Sequence, residues 1–128
     1  MEILIGGISK EFLKRTIRPF FEELGYSKIK FYQANKIKHS KEIIENSELD
    51  LMILSGWKDG NYHDFYKLSF DNPQIPSILV IANSHQGVMN EYVNIHPPSY
   101  TCYFGELEHL NNKRIDYILN GGNLNWGI

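Results

Sequence analysis

Two short runs of exclusively apolar residues limit the folds that this chain can adopt. They occupy residues 51–54 (Leu-Met-Ile-Leu) and 78–81 (Ile-Leu-Val-Ile). A strand with one face in water alternates apolar and polar side chains, whereas a strand covered on both faces can be apolar throughout. The two runs therefore predict central strands of a mainly parallel sheet that is covered by helices on both sides.

Strand and helix patterns alternate along the rest of the chain. Apolar residues at three- and four-residue intervals indicate amphipathic helices, and short apolar runs bounded by turn residues indicate strands. Helices are expected after each of the first three strands and between residues 107 and 119, while the signal for one between residues 83 and 99 is weak. We predict five strands, at residues 1–5, 29–31, 49–54, 78–81 and 100–104.

Individual residues predict where the helices begin, bend and end. Ser9 and Ser40 are placed to cap the N-termini of the first two helices, because a serine hydroxyl can accept from a free backbone N–H there. Gly25 can end the first helix in the left-handed conformation. Pro19 has no backbone N–H, so a bend is expected where it interrupts the first helix.

The alternating pattern predicts a doubly wound α/β sandwich of three layers, because right-handed crossovers place helices on both faces of a parallel sheet. Gly121-Gly122 would end the last helix, so we expect one domain over residues 1–120 and a tail or linker stub over 121–128. Ligands of such sheets bind at the carboxyl ends of the strands. The candidate positions by that rule are Gly6, Gly7, Ile8, Ser55, Gly56, Asn83, Ser84 and Tyr103.

Charge and composition exclude several classes of function. The 128 residues carry a formal net charge of −2, so no overall positive field favours nucleic acid. Five lysines between residues 28 and 41 are interpreted as a solvated surface. The single cysteine, Cys102, is expected to be a core residue of a cytoplasmic protein without disulfides. No apolar run approaches the ~20 residues needed to span a membrane.

Four stretches of the sequence resemble one known family, the receiver domain of bacterial response regulators. "MEILIGGISKEFLKRTIRPFFEELGY" is similar to the family's first strand, acidic turn and first helix. "NSELDLMILSGW" is similar to the third strand, which leads to the phosphorylated aspartate, and "NPQIPSILVIANS" to the fourth strand. "SYTCYFGELEHL" is similar to the fifth strand and last helix. The resemblance implies five parallel strands in the order 2-1-3-4-5.

The family's functional residues are missing at the positions that the resemblance assigns to them. Gly7 and Ile8 stand at the acidic pair that holds a divalent metal, and Ser55 at the phosphorylated aspartate. Ile81 stands at the switch Ser or Thr, although a shift of one residue would place Ala82 there, and Tyr103 stands at the lysine. Of these functional positions, only Tyr100 keeps the family's residue type, an aromatic that can change its exposure.

These replacements remove the groups that phosphoryl chemistry needs. Mg²⁺ prefers oxygen ligands that include carboxylates, and Gly7, Ile8 and Ser55 supply at most one hydroxyl. A serine without an adjacent base is also a weak nucleophile. The resemblance therefore implies a pseudo-receiver, which is a non-enzymatic signalling module independent of phosphorylation, with no cofactor and no metal.

Such a module is expected to bind a protein partner or a second copy of itself. In the receiver family, the face formed by the fourth helix, fifth strand and fifth helix commonly makes such contacts. The corresponding part of this chain is rich in aromatic residues, with Tyr103 among them. The predicted contact residues are Tyr100, Phe104, Leu107, His109 and Arg114.

A second interpretation is a small-ligand site or an enzymatic site at the same edge of the sheet. Glycine, serine and asparagine groups suit a nucleotide or a sugar better than a metal, and the candidates are Gly6, Ser9, Ser55, Asn83 and Ser84. Aromatic residues that follow Ser55 could form a lid over a ligand or a roof over an empty site. These residues are Trp57, Tyr62, His63 and Phe65.

Overall fold

A computed structural model describes residues 1–55, 62–81, 100–122 and 124. Its single sheet has five parallel strands in the order β2-β1-β3-β4-β5, which confirms the predicted fold class and strand order. The strands are β1 Glu2–Gly6, β2 Lys30–Ala34, β3 Leu51–Leu54, β4 Ser77–Ile81 and β5 Tyr100–Tyr103.

In the described residues, helices follow β1, β2, β3 and β5. Helix α1 has three consecutive parts, Lys10–Phe12, Leu13–Ile17 and Arg18–Glu23, and the middle part is π-helical. Helix α2 spans Ile37–Asn46, α3 spans Tyr62–Asp71 and α4 spans Asn112–Leu119, with a 3₁₀-helix over Phe104–His109 before α4. The weak helix expected between residues 83 and 99 lies outside the described residues.

The ends of α1 confirm two local predictions. Ser9 caps the helix, because its Oγ accepts a hydrogen bond from Phe12 N–H at 3.1 Å. Gly25 adopts φ +89°, and hydrogen bonds from Gly25 N–H to Glu22 O and from Tyr26 N–H to Phe21 O form a Schellman motif.

The expected interruption at Pro19 takes the form of the π-helical part of α1. Pro19 has no N–H for the carbonyl four residues earlier. Just before it, Arg18 N–H donates to Leu13 O, which is five residues back. The wider hydrogen-bonding pattern accommodates the proline inside an otherwise continuous helix.

Two predicted helix boundaries are wrong. Helix α2 begins at Ile37, and Ser40 lies inside it, where its hydroxyl donates to Lys36 O at 3.1 Å rather than capping the end. The last helical pattern is divided, because Asn111 caps α4 by accepting from Arg114 N–H at 2.9 Å. An asparagine side chain that satisfies a backbone donor starts a new helix, although the apolar spacing runs on across it.

The apolar strands β3 and β4 bury side chains on both faces of the sheet, as their sequences predict. Ile53 and Val80 belong to a core with α1 and α4, while Leu54 and Ile81 belong to a second core with α2 and α3. All nine residues of the two strands are buried. Among the described residues, no helix is long and apolar enough to cross a membrane.

Candidate functional site

The loop after β1 contains the two residues that the resemblance assigns to the acidic pair of receiver domains. Gly7 adopts φ 70°, and its N–H donates to Ala34 O at 2.9 Å, which turns the chain towards α1. Ile8 is buried in the α1 core, with 2% of its surface exposed, and its carbonyl accepts from Gln33 Nε2 at 2.8 Å. This loop therefore offers apolar packing and backbone groups, but no carboxylate.

Ser55 lies directly after β3, at the carboxyl end of the central strand. Its N–H donates to Gly6 O at 2.8 Å, so the end of β3 remains tied to the end of β1. The residue is fully buried. Among the described residues its Oγ has no hydrogen-bond partner. No described carboxylate or imidazole therefore activates this hydroxyl as a nucleophile.

An aromatic side chain of α3 closes the same edge of the sheet. A methyl group added at Gly6 would lie 2.8 Å from Leu54 Cδ2 and 3.2 Å from Phe65 Cδ1. Phe65 is fully buried, and the adjacent Tyr66 donates to Val80 O at 2.9 Å, which holds α3 against β4. Of the predicted aromatic cluster, Phe65 is buried beside Gly6, whereas His63 is exposed.

The described oxygen atoms of this edge do not fit a divalent metal of the kind that the receiver family binds. Such an ion requires several oxygen ligands, usually with carboxylates among them. In the described part of the chain, no cluster of three or more His, Cys, Asp and Glu residues could hold an ion. Gly7 and Ile8 contribute no side-chain oxygen at all.

Some of the remaining predicted site residues belong to the described part of the chain, and others do not. Ile81 and Tyr103 are register partners on β4 and β5. Ile81 is 1% exposed. Asn83 and Ser84 lie outside the described residues, as do Gly56 and Trp57. The Ser9 hydroxyl accepts from Phe12 N–H, which leaves its O–H as a donor for the second interpretation.

The predicted interaction face is only partly accessible. His109 and Arg114 are exposed, and Tyr100 is half-buried. Burial, and then the nearby Cys102 and Glu106, raises the pKa of Tyr100, while Arg114 lowers it. Leu107 is fully buried in the α1 core, so its side chain is not available to a partner. The resemblance placed Leu107 on a contact face, whereas its apolar spacing is that of a core residue.

The side chains of Phe104 and Tyr103 are outside the described part of the structure. The backbone of Tyr103 ends β5, and that of Phe104 begins the 3₁₀-helix.

Sequence reasoning missed a groove beside β2, the strand at the other end of the sheet order from β5. A groove of about 450 Å³ lies between the end of α1 and the start of β2, and Arg18, Tyr26, Lys28 and Phe31 line it. The Arg18 guanidinium carbon lies 4.9 Å from the centre of the Phe31 ring. The available signal was the run of lysines from residue 28 to 41, which was interpreted as a solvated surface.

Comparison with known proteins places the fold but not the family. No family model matches the chain, and no curated protein does either. Three solved structures are similar to it in fold.

The first is the N-terminal domain of a response regulator/sensory box/GGDEF 3-domain protein from Carboxydothermus hydrogenoformans, with 17% identity, a TM-score of 0.67 and 94% of each chain covered. The second is a response regulator receiver protein from Burkholderia phymatum, with 13% identity, a TM-score of 0.68 and coverage of 97% of this chain and 99% of that one. The third is a response regulator receiver domain protein from Clostridium thermocellum, with 13% identity, a TM-score of 0.62 and coverage of 93% and 94%. The chain thus has a receiver-like fold over nearly its whole length.

Proposed function

We propose that this chain is a non-enzymatic, receiver-like signalling module of the cytoplasm that binds a protein partner without being phosphorylated. The proposal combines the receiver-like fold with the composition of the edge where receivers carry their acidic site. A fold alone does not determine function, so the argument depends on the residues at that edge.

The observation that carries the proposal is the burial of Ser55 at the position of the phosphorylated aspartate. A phosphoryl donor must reach the accepting oxygen, and this oxygen is inside the protein. Ile8 replaces a metal ligand with an apolar side chain, and Phe65 packs against Gly6 over the same edge. A phosphoryl group placed there would bring uncompensated negative charge into apolar surroundings, which is strongly unfavourable.

The test is a titration with Mg²⁺ and then beryllofluoride, which imitates a phosphoryl group. Trp57 follows Ser55 by two residues and serves as the fluorescent reporter in a Trp126→Phe background. We expect no saturable change in its fluorescence. We also expect the intact mass of the protein to stay unchanged after incubation with Mg²⁺ and acetyl phosphate.

A receiver domain that retains its aspartate provides the positive control for both reagents. A saturable quench of Trp57, or a mass increase that corresponds to one phosphoryl group, would contradict phosphorylation independence.

A further inference from the structure

The outer side of β2 is an open sheet edge. β2 is the first strand in the sheet order, and in the described part of the chain no strand pairs with its outer side. Lys30 N–H donates to Met1 O, and Ala34 O accepts from Gly7 N–H, so the even-numbered residues direct their backbone groups towards β1. The N–H and C=O groups of Phe31 and Gln33 therefore point away from the sheet.

Positive charge flanks this edge on both faces of the sheet. Arg18 lies over the Phe31 ring on the face covered by α1, and Lys30 Nζ lies 4.7 Å from the centre of the Tyr32 ring on the other face. The hydrogen bond to Tyr32, and then the charges of Tyr32 and Glu2, raise the pKa of Lys30 against an opposing effect of desolvation. Both cations are thus held beside aromatic rings at the open edge.

The charge around the edge is strongly asymmetric. Residues 27–41 contain five lysines and no aspartate or glutamate, in a chain whose formal net charge is −2. All five lysines are exposed: Lys28, Lys30, Lys36, Lys38 and Lys41. Glu22 lines the groove, and Glu2 accepts a hydrogen bond from Tyr32. Asp116 accepts one from Tyr26 of the groove, so carboxylates also lie nearby. The surface still favours a negatively charged partner.

We propose that an extended, acidic peptide segment of a partner protein binds here as an added strand along β2. Its backbone would pair with the outward N–H and C=O groups of Phe31 and Gln33, and its alternating side chains would meet cations on both faces. An apolar side chain of the segment would enter the groove over Phe31. The proposal concerns a different surface from the edge near Ser55 and does not depend on phosphorylation independence.

The geometry favours a peptide over the other anionic or extended occupants. A phosphate backbone lacks the alternating donors and acceptors that a strand edge pairs with, so nucleic acid would use only the charge. A second copy of β2 would bring the same lysines into contact, and like charges keep such edges apart. The acidic peptide satisfies both the backbone groups and the charge.

The test uses a fluorescein-labelled peptide, Glu-Val-Glu-Glu-Val-Glu, which carries carboxylates on both faces when extended. We expect saturable binding by fluorescence anisotropy at low salt. The Lys28→Glu/Lys30→Glu variant should weaken binding at least tenfold. The matched control, Lys67→Glu/Lys113→Glu, makes the same change in net charge on α3 and α4 and should bind like the unmodified chain.

Amide hydrogen exchange distinguishes an added strand from simple charge attraction. At saturating peptide, exchange of the Phe31 and Gln33 amides should slow at least tenfold, because these N–H groups become donors to the peptide. Binding that leaves both amides unprotected would overturn the proposal. So would the absence of saturable binding, or an oligothymidylate that binds as tightly as the peptide and with the same dependence on Lys28 and Lys30.

Discussion

Two buried serines differ in the hydrogen bonding of their hydroxyl groups. Ser55 Oγ has no partner among the described residues, whereas Ser69 Oγ donates to Tyr66 O at 2.7 Å. A buried polar group without a hydrogen bond costs free energy, while a satisfied one contributes modestly to stability. The contrast separates a buried hydroxyl without a partner among the described residues from one whose hydrogen bond supports the fold.

Replacing each serine by alanine should therefore change stability in opposite directions. We expect Ser55→Ala to raise the free energy of unfolding by about 1 kcal/mol and Ser69→Ala to lower it by about 1 kcal/mol. Urea denaturation of the two variants and the unmodified protein measures both changes. A destabilised Ser55→Ala protein would mean that the hydroxyl is hydrogen-bonded, which would favour the ligand-site interpretation.

At the scale of elements, one hydrogen bond links the segment after α1 to α4. Tyr26 OH donates to Asp116 Oδ1 at 2.7 Å across 90 residues of sequence. Partial burial, then the hydrogen bond and the negative charge of Asp116, raises the pKa of Tyr26 from 10.0 to about 12. The phenol thus keeps its proton in the folded protein at pH values where it would lose it in the unfolded chain.

The hydrogen bond between Tyr26 and α4 should weaken only in strong alkali. Because the folded pKa of Tyr26 is above the unfolded one, its stabilisation is complete below pH 10 and is lost as the pH rises towards 12. The difference in tyrosinate absorbance between the unmodified protein and Tyr26→Phe reports the ionisation of Tyr26, and its midpoint should lie near pH 12. Asp116→Asn should lower that midpoint without returning it to 10.0, because burial is the largest cause.

The Tyr26 titration also tests whether this contact forms in solution. A titration midpoint of Tyr26 at pH 10 in the unmodified protein would contradict the contact. Tyr117→Phe, which removes a tyrosine of α4 next to Asp116, is the control for the substitution itself.

For the whole molecule, the open question is which surface binds another protein. One candidate is the β5 side of the sheet, where His109 and Arg114 are exposed. Leu107 is buried in the core and is not accessible there. This face and the β2 edge lie at opposite ends of the sheet order, so the two proposals can be tested independently.

Charge reversal at Arg114 should weaken association through the β5 side. If that face forms a homodimer, sedimentation velocity should show dimer formation that Arg114→Glu reduces and Lys67→Glu does not. Arg114 is exposed, so the substitution should leave stability within ~0.5 kcal/mol. Equal association of all three proteins would exclude Arg114 from the interface, and a monomer at every concentration would contradict the homodimer.

The order of strands and helices could be predicted because it depends on local patterns. Apolar runs such as Leu51–Leu54 report burial on both faces, and Ser9 and Gly25 report helix ends through their own backbone preferences. The boundary at Asn111 could not be predicted, because the apolar spacing continues across it and only the capping bond divides it. For the same reason, spacing alone could not distinguish Leu107 as a core residue from a contact residue.

The sequence by itself thus determined the fold class, the strand order implied by the resemblance and the absence of carboxylates at Gly7, Ile8 and Ser55. Those conclusions need only the identity of residues and their near neighbours. Among the described residues, tertiary structure decided that Ser55 is buried without a partner, that Phe65 lies against Gly6 and that no strand pairs with the outer side of β2. Contacts between residues far apart in sequence create these features, and no local pattern encodes them.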